Sequence, residues 1–110
     1  MATSYKILGQ AAPANTSNAD LYTVPSATEA VISTLLVTNT TATDATCRIF
    51  ARAAGAAAAA SNAIVYDGTV TANDFTAITV GVTLAATDVI TVQSGTGDAL
   101  TFQAFGSEIA

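Results

Sequence analysis

Apolar and polar positions alternate along much of this chain with the two-residue period of a half-buried strand. In "TCRIFAR", Cys47, Ile49 and Ala51 fall on one face and Thr46, Arg48, Phe50 and Arg52 on the other. In "FTAITVGV" the apolar face is Ile78, Val80 and Val82. In "TDVITVQ" it is Ile90 and Val92, opposite Val89 and Thr91. The stretch "AVISTLLVTN" is apolar on both sides, Val31, Leu35 and Val37 against Ile32 and Leu36. That is the pattern of a strand covered twice, once by its own second sheet and once by a partner. Short runs of β-branched residues predict eight strands, at about 4–10, 20–24, 30–39, 45–53, 63–67, 74–82, 88–93 and 99–108. The breaks between them, "APANTSN", "VPSATE", "NTTATD", "DGTVTAND" and "SGTGD", are built from turn-forming residues. The last of these reads as a hairpin turn.

One segment breaks the pattern. Residues 53–63 read "AAGAAAAASNA", with five consecutive alanines. Alanine favours helix, but five are far fewer than the ~12–15 residues an isolated helix needs. Gly55 and Asn62 bracket the run as stops. The expected structure for 54–62 is therefore a loop with at most one helical turn, its small side chains open to close approach by another surface. With eight short strands and no amphipathic helix, the chain is expected to form one antiparallel β-sandwich domain over residues 1–110, Ig-like or jelly-roll-like.

Composition narrows the function. Of 110 residues, 25 are alanine and 19 threonine, and only 10% are charged, against about 25% in ordinary domains. Three basic residues, Lys6, Arg48 and Arg52, face eight carboxylates, for a net charge of −5. Nucleic-acid binding and attraction to an anionic membrane both need the opposite balance, so neither partner is expected. The N-terminal "MATSYKILGQ" carries no signal-peptide pattern, and no apolar run approaches the ~20 residues of a membrane span. A surface of Thr, Ser, Asn and Ala in place of charge suits a protein packed against neighbours.

Chemistry is scarce. The chain has no histidine, which removes the commonest general base and zinc ligand. Its one cysteine, Cys47, sits in an apolar strand and reads as a small core residue. Asp67, Asp74, Asp88 and Asp98 fall at expected strand ends, where carboxylates form turns through backbone hydrogen bonds. Oxygen ligation of Ca²⁺ by Asp67 or Asp74 is the alternative, without the D-x-D-x-D-G loop that would support it. No enzyme, metal or cofactor is expected. The one suggestive cluster is Arg48, Phe50 and Arg52 on one strand face, beside the doubly apolar strand with Ile32 and Leu36. Arg and aromatic residues are enriched in interfaces, so these five residues are the candidate interface. The two strands are expected to pair across "NTTATD", and the expected state is a homo-oligomer, a trimer.

The blocks "YKILGQAAPA", "DLYTVPSATEAVISTLLVTN", "RIFARAAG", "GVTLAATDVITVQS" and "FQAFGSEI" resemble a family of small virion-associated structural proteins of tailed bacteriophages, best known from aquatic and cyanobacterial hosts. The resemblance runs over the whole chain and carries no catalytic motif. It implies a β-sandwich assembled into a virion in the host cytoplasm. There it would be a capsid decoration or cement protein contacting itself and the major capsid protein, or an accessory of tail tube, baseplate or fibre contacting tail proteins. A free carbohydrate-binding or adhesive module is a third reading.

Overall fold

The computed structural model describes residues 2–79 and 81–110. Among the described residues nine strands form, β1 Thr3–Ala11, β2 Ala19–Thr23, β3 Glu29–Asn39, β4 Ala45–Arg52, β5 Ala63–Val70, β6 Phe75–Ile78, β7 Val82–Leu84, β8 Val89–Ser94 and β9 Leu100–Ile109. The strand expected over 74–82 is two short ones, β6 and β7, both paired to β3. Val80, expected to face inward there, lies outside the described residues.

The first sheet runs β1-β9-β3-β6, with β7 also on β3, and the second runs β2-β8-β4-β5, every pairing antiparallel. Pairs β1–β9, β2–β8, β3–β6/β7 and β4–β5 nest inside one another, as though one long hairpin had been folded over on itself. That nesting is the double-sheet jelly roll of eight strands, one of them interrupted here. The alanine loop joins β4 to β5. It is therefore the tip of the long hairpin.

Between the sheets lie the inward residues of both. Ile32, Leu35, Val37, Ile49, Ile90, Val92, Leu100 and Phe102 are all within 1% of full burial. Cys47 is among this core, as its apolar strand suggests, and burial pushes its thiol up to about 11, with the Asp67 charge adding to the shift. Of the faces expected from alternation in β3, β4 and β8, only that of β3 changes phase. A bulge in β3 between Ile32 and Thr34 flips the phase, so Ile32 joins Leu35 and Val37 in the core, leaving Val31 and Leu36 on the outer face. The expected grouping of Ile32 with Leu36 is corrected by that one inserted residue.

Two turns expected to join paired strands instead carry the chain between sheets. "NTTATD" leaves β3 in the first sheet and enters β4 in the second, so the two strands do not pair. Asn39 organises this crossing. Its buried side chain donates to the carbonyls of Thr43 (2.9 Å) and Val70 (3.1 Å) and accepts from the Thr41 amide (2.9 Å) and hydroxyl (2.8 Å). The Gly95–Asp98 turn likewise links β8 to β9 across the sandwich; it is not a hairpin.

A polar bridge spans the gap between the sheets. The Tyr22 hydroxyl on β2 donates to Glu108 Oε2 on β9 (2.5 Å), and Lys6 Nζ on β1 meets Glu108 Oε1 (2.5 Å). Lys6 and then Tyr22 hold the Glu108 carboxyl below its usual range. Burial, reinforced by Glu108, raises Tyr22 well above an ordinary phenol.

Candidate functional site

The five residues singled out from the sequence do not meet. Leu36 is half-buried on the outer face of the first sheet, whereas Arg48 and Arg52 lie on the far side of the molecule, on the second. Ile32 is 1% exposed and Phe50 3%, so neither has surface to offer a partner.

Both arginines are occupied within the chain. Arg48 forks onto Asp67, Nε to Oδ1 at 2.7 Å and an Nη to Oδ2 at 3.1 Å, and its guanidinium stacks 4.1 Å above the Tyr66 ring. The hydrogen bond raises Arg48 and lowers Asp67. Asp67, expected at a strand end, lies inside β5 at a bulge, with a left-handed φ of 58° that Asp tolerates better than most residues. Arg52 is a clamp. Its Nε and one Nη donate to the carbonyls of Ala56 (2.6 Å) and Gly55 (2.9 Å), and its other Nη to Thr91 Oγ1 (3.0 Å) and Asp20 Oδ1 (3.2 Å). The guanidinium fork thus ties the alanine loop to β2 and β8.

The loop itself contains two short 3₁₀ turns, Ala53–Gly55 and Ala60–Asn62, in place of the single turn expected at most. The second packs against β4. Asp88 Oδ1 accepts from the Ala54 amide (2.8 Å), and Asn62 closes the far end on the Ala57 carbonyl (3.0 Å) and Ala59 amide (3.1 Å). Phe50 points outward by alternation yet is buried, in edge contact with Tyr66 at 6.5 Å.

The carboxylates serve turns. Asp88 Oδ2 accepts from the Ala85 amide (2.9 Å), Asp74 Oδ1 from Phe75 (2.7 Å) and Asp44 Oδ1 from Ala72 (2.9 Å). Asp98 takes a left-handed turn conformation. Among the described residues no three His, Cys, Asp or Glu side chains gather as a metal site would require. No helix among them is long and apolar enough to cross a membrane.

The first sheet presents a different surface. Directly paired residues share a face, so the pairs Ile7–Phe105, Phe105–Thr34, Tyr5–Ser107 and Ser107–Val31 place all of these on its outer side. Phe75, opposite Thr38, joins them. Tyr5 is 86% exposed, Phe75 60% and Ile7 54%, leaving Tyr66 as the only other large exposed apolar residue among those described. Tyr5, Lys6, Ile7, Val31, Ser33 and Phe105 line a shallow groove there. Charge is nearly absent. Among the described residues Glu29, at the start of β3, is the only ionised side chain on this face, because Lys6 alternates to the other side and meets Glu108. Reading for the densest apolar strand passed over this face. The alternation of Tyr5 and Ile7 in "SYKIL" was its sequence signal.

No family model matches the chain, and no curated protein matches it. Among solved structures it is similar to a chain in a structure of infectious bursal disease virus, Gx strain, with a TM-score of 0.52 and 12% identity. The match covers 97% of this chain and 31% of the other, so the chain spans less than a third of that protein's length. The similarity is one of fold.

Proposed function

We propose that this protein is a non-enzymatic structural component of a virion, a capsid decoration or cement protein of a tailed bacteriophage that docks through the outer face of its first sheet. The observation that carries this reading is that face, with Glu29 its only ionised side chain among the described residues on a protein of net charge −5, and bearing three of the four large apolar side chains exposed among the described residues. Tyr5 and Ile7 line one groove with Val31 and Phe105, and an exposed apolar patch on a small domain marks a contact site. The phage resemblance of the sequence supports a virion setting, as does the fold shared with a viral protein. Jelly rolls also serve as lectins, but the chain has no tryptophan to stack on a sugar ring.

The test is to locate the protein in purified particles by mass spectrometry and reconstruction. The expected result is a copy number that scales with the shell, with Phe75 and Phe105 facing the major capsid protein. Phe75→Asp together with Phe105→Asp is expected to weaken particle binding by ten-fold or more while the circular dichroism spectrum stays β-rich. A copy number matching a tail end structure moves the protein to the tail. Absence from particles, or unchanged binding by the double variant, overturns the docking reading.

A further inference from the structure

The sandwich has four free sheet edges, and three are guarded. β2 is five residues long with a bulge between Asp20 and Tyr22. β5 is broken by two bulges and by the left-handed Asp67. The β6/β7 edge consists of strands of four and three residues. Short, bulged strands are how proteins stop their edges from pairing with other chains. The fourth edge is β1, nine residues long, whose first half from Thr3 to Ile7 runs in unbroken register against Ile109 to Phe105. Its only charge, Lys6, is neutralised by Glu108.

The hydrogen-bond phase of this strand follows from its start. Ala2 and Ala110 exchange both backbone bonds, at 3.0 and 2.9 Å. Antiparallel pairs alternate between bonded and non-bonded, so Ser4 and Lys6 also bond to β9. Thr3, Tyr5 and Ile7 are the non-bonded positions, and their N–H and C=O groups point to the free side.

We infer that β1 pairs with β1 of a second copy across a two-fold axis at Tyr5. In that register Tyr5 lies opposite Tyr5 of the other copy, Thr3 opposite Ile7, and Ser4 opposite Lys6. Every outward N–H and C=O from Thr3 to Ile7 finds a partner. No like charges meet, although each copy carries a net charge of −5, and the central tyrosines form a cross-strand aromatic pair. The contact is isologous and closes as a dimer, in place of the trimer expected from the sequence. It joins the first sheets of the two copies into one sheet and makes their outer faces continuous. A contact limited to half a strand and its flanking side chains buries less than the ~800 Å² per partner of a standard interface, so the dimer is weak, with dissociation in the micromolar to millimolar range. This pairing stands apart from the virion reading and can fail without it.

The experiment is a concentration series on the full chain, followed by sedimentation and by amide exchange. A monomer–dimer equilibrium is expected, with the Tyr5 and Ile7 amides gaining protection as dimer forms. Ser4 and Lys6 are expected to be protected at every concentration. Tyr5→Pro removes an N–H that points away from β9, a position where an edge strand accepts proline, and is expected to abolish the dimer without unfolding the monomer. Tyr5→Lys sets two cations opposite each other and is expected to weaken the dimer at least ten-fold, with partial rescue by high salt. A trimer, a monomer at millimolar concentration, or a dimer that survives Tyr5→Pro with its Tyr5 amide unprotected would each overturn the inference. Particle binding by the Tyr5→Pro monomer tests the outer face separately.

Discussion

Arg52 shows how far a side chain's role depends on what the fold brings within reach. From the sequence it is one of three cations on an acidic chain, flanked by an aromatic, and it reads as a hot spot for a partner. In the fold its four contacts go to Gly55, Ala56, Thr91 and Asp20, three elements that a strand-by-strand reading cannot assemble. The loop it holds consists almost wholly of alanine, which has no side-chain hydrogen bonds with which to order itself. Arg52→Ala is therefore expected to free the loop and to cost about 2 kcal/mol, the scale of hydrogen bonds to a charged group. Faster amide exchange over 53–62 and new protease cleavage there are the measurements. Arg52→Lys is expected to rescue little, because an ammonium lacks the planar fork that spans these acceptors.

At the scale of elements, strands were legible wherever alternation was clean, and their faces wherever no bulge intervened. Cys47, Ile49, Ile90 and Val92 all turn inward as the pattern requires. The β3 bulge is the exception, and neither Ser33 nor Thr34 announces it, since both are ordinary strand residues. Across the ladder from it stands Gly106. At Gly106, β9 comes so close to β3 that a Cβ would stand 1.9 Å from the Val31 carbonyl oxygen. Glycine is needed there for that approach. Gly106→Ala is expected to push the strands apart and lower stability by about 1–3 kcal/mol, as overpacking does. A denaturant midpoint that falls with an unchanged slope would be the observation, and an unaltered midpoint would contradict the close approach.

For the whole molecule, the bridge from Lys6 through Glu108 to Tyr22 ties the two sheets together near the paired chain ends and sets a pH dependence. Glu108 is held below its usual range, so its contribution is complete above the pKa of an unfolded glutamate, about 4.3, and is lost as pH falls through the depressed folded value. Tyr22 is raised, so its contribution is complete below the phenol's ordinary value, about 10, and is lost as pH rises beyond it. Cys47 acts in the same alkaline direction. The melting temperature is expected to be level across neutral pH and to fall at both extremes. Tyr22→Phe is expected to cost roughly 1 kcal/mol at pH 7, and that deficit is expected to shrink in acid, as pH falls through the depressed folded value of Glu108 and the bond loses its charge assistance. A deficit that stays constant with pH would mean the bridge does not couple to Glu108.

What this sequence determined by itself was local. Strand periodicity, turn residues and the lack of helical repeats specify an antiparallel sandwich, and the shortage of charge together with the missing histidine directs attention to contact surfaces. Pairing partners were beyond it, because a turn such as "NTTATD" looks the same whether it closes a hairpin or crosses between sheets. Tertiary structure alone decided that Leu36 and Arg48 lie on opposite sides, that Phe50 is covered and that Tyr5, Ile7, Phe75 and Phe105 share one face with little charge. The physical reason is range: alternation records which way a side chain points relative to its immediate neighbours, whereas a surface is made by strands that are distant in the chain and adjacent only through their hydrogen bonds.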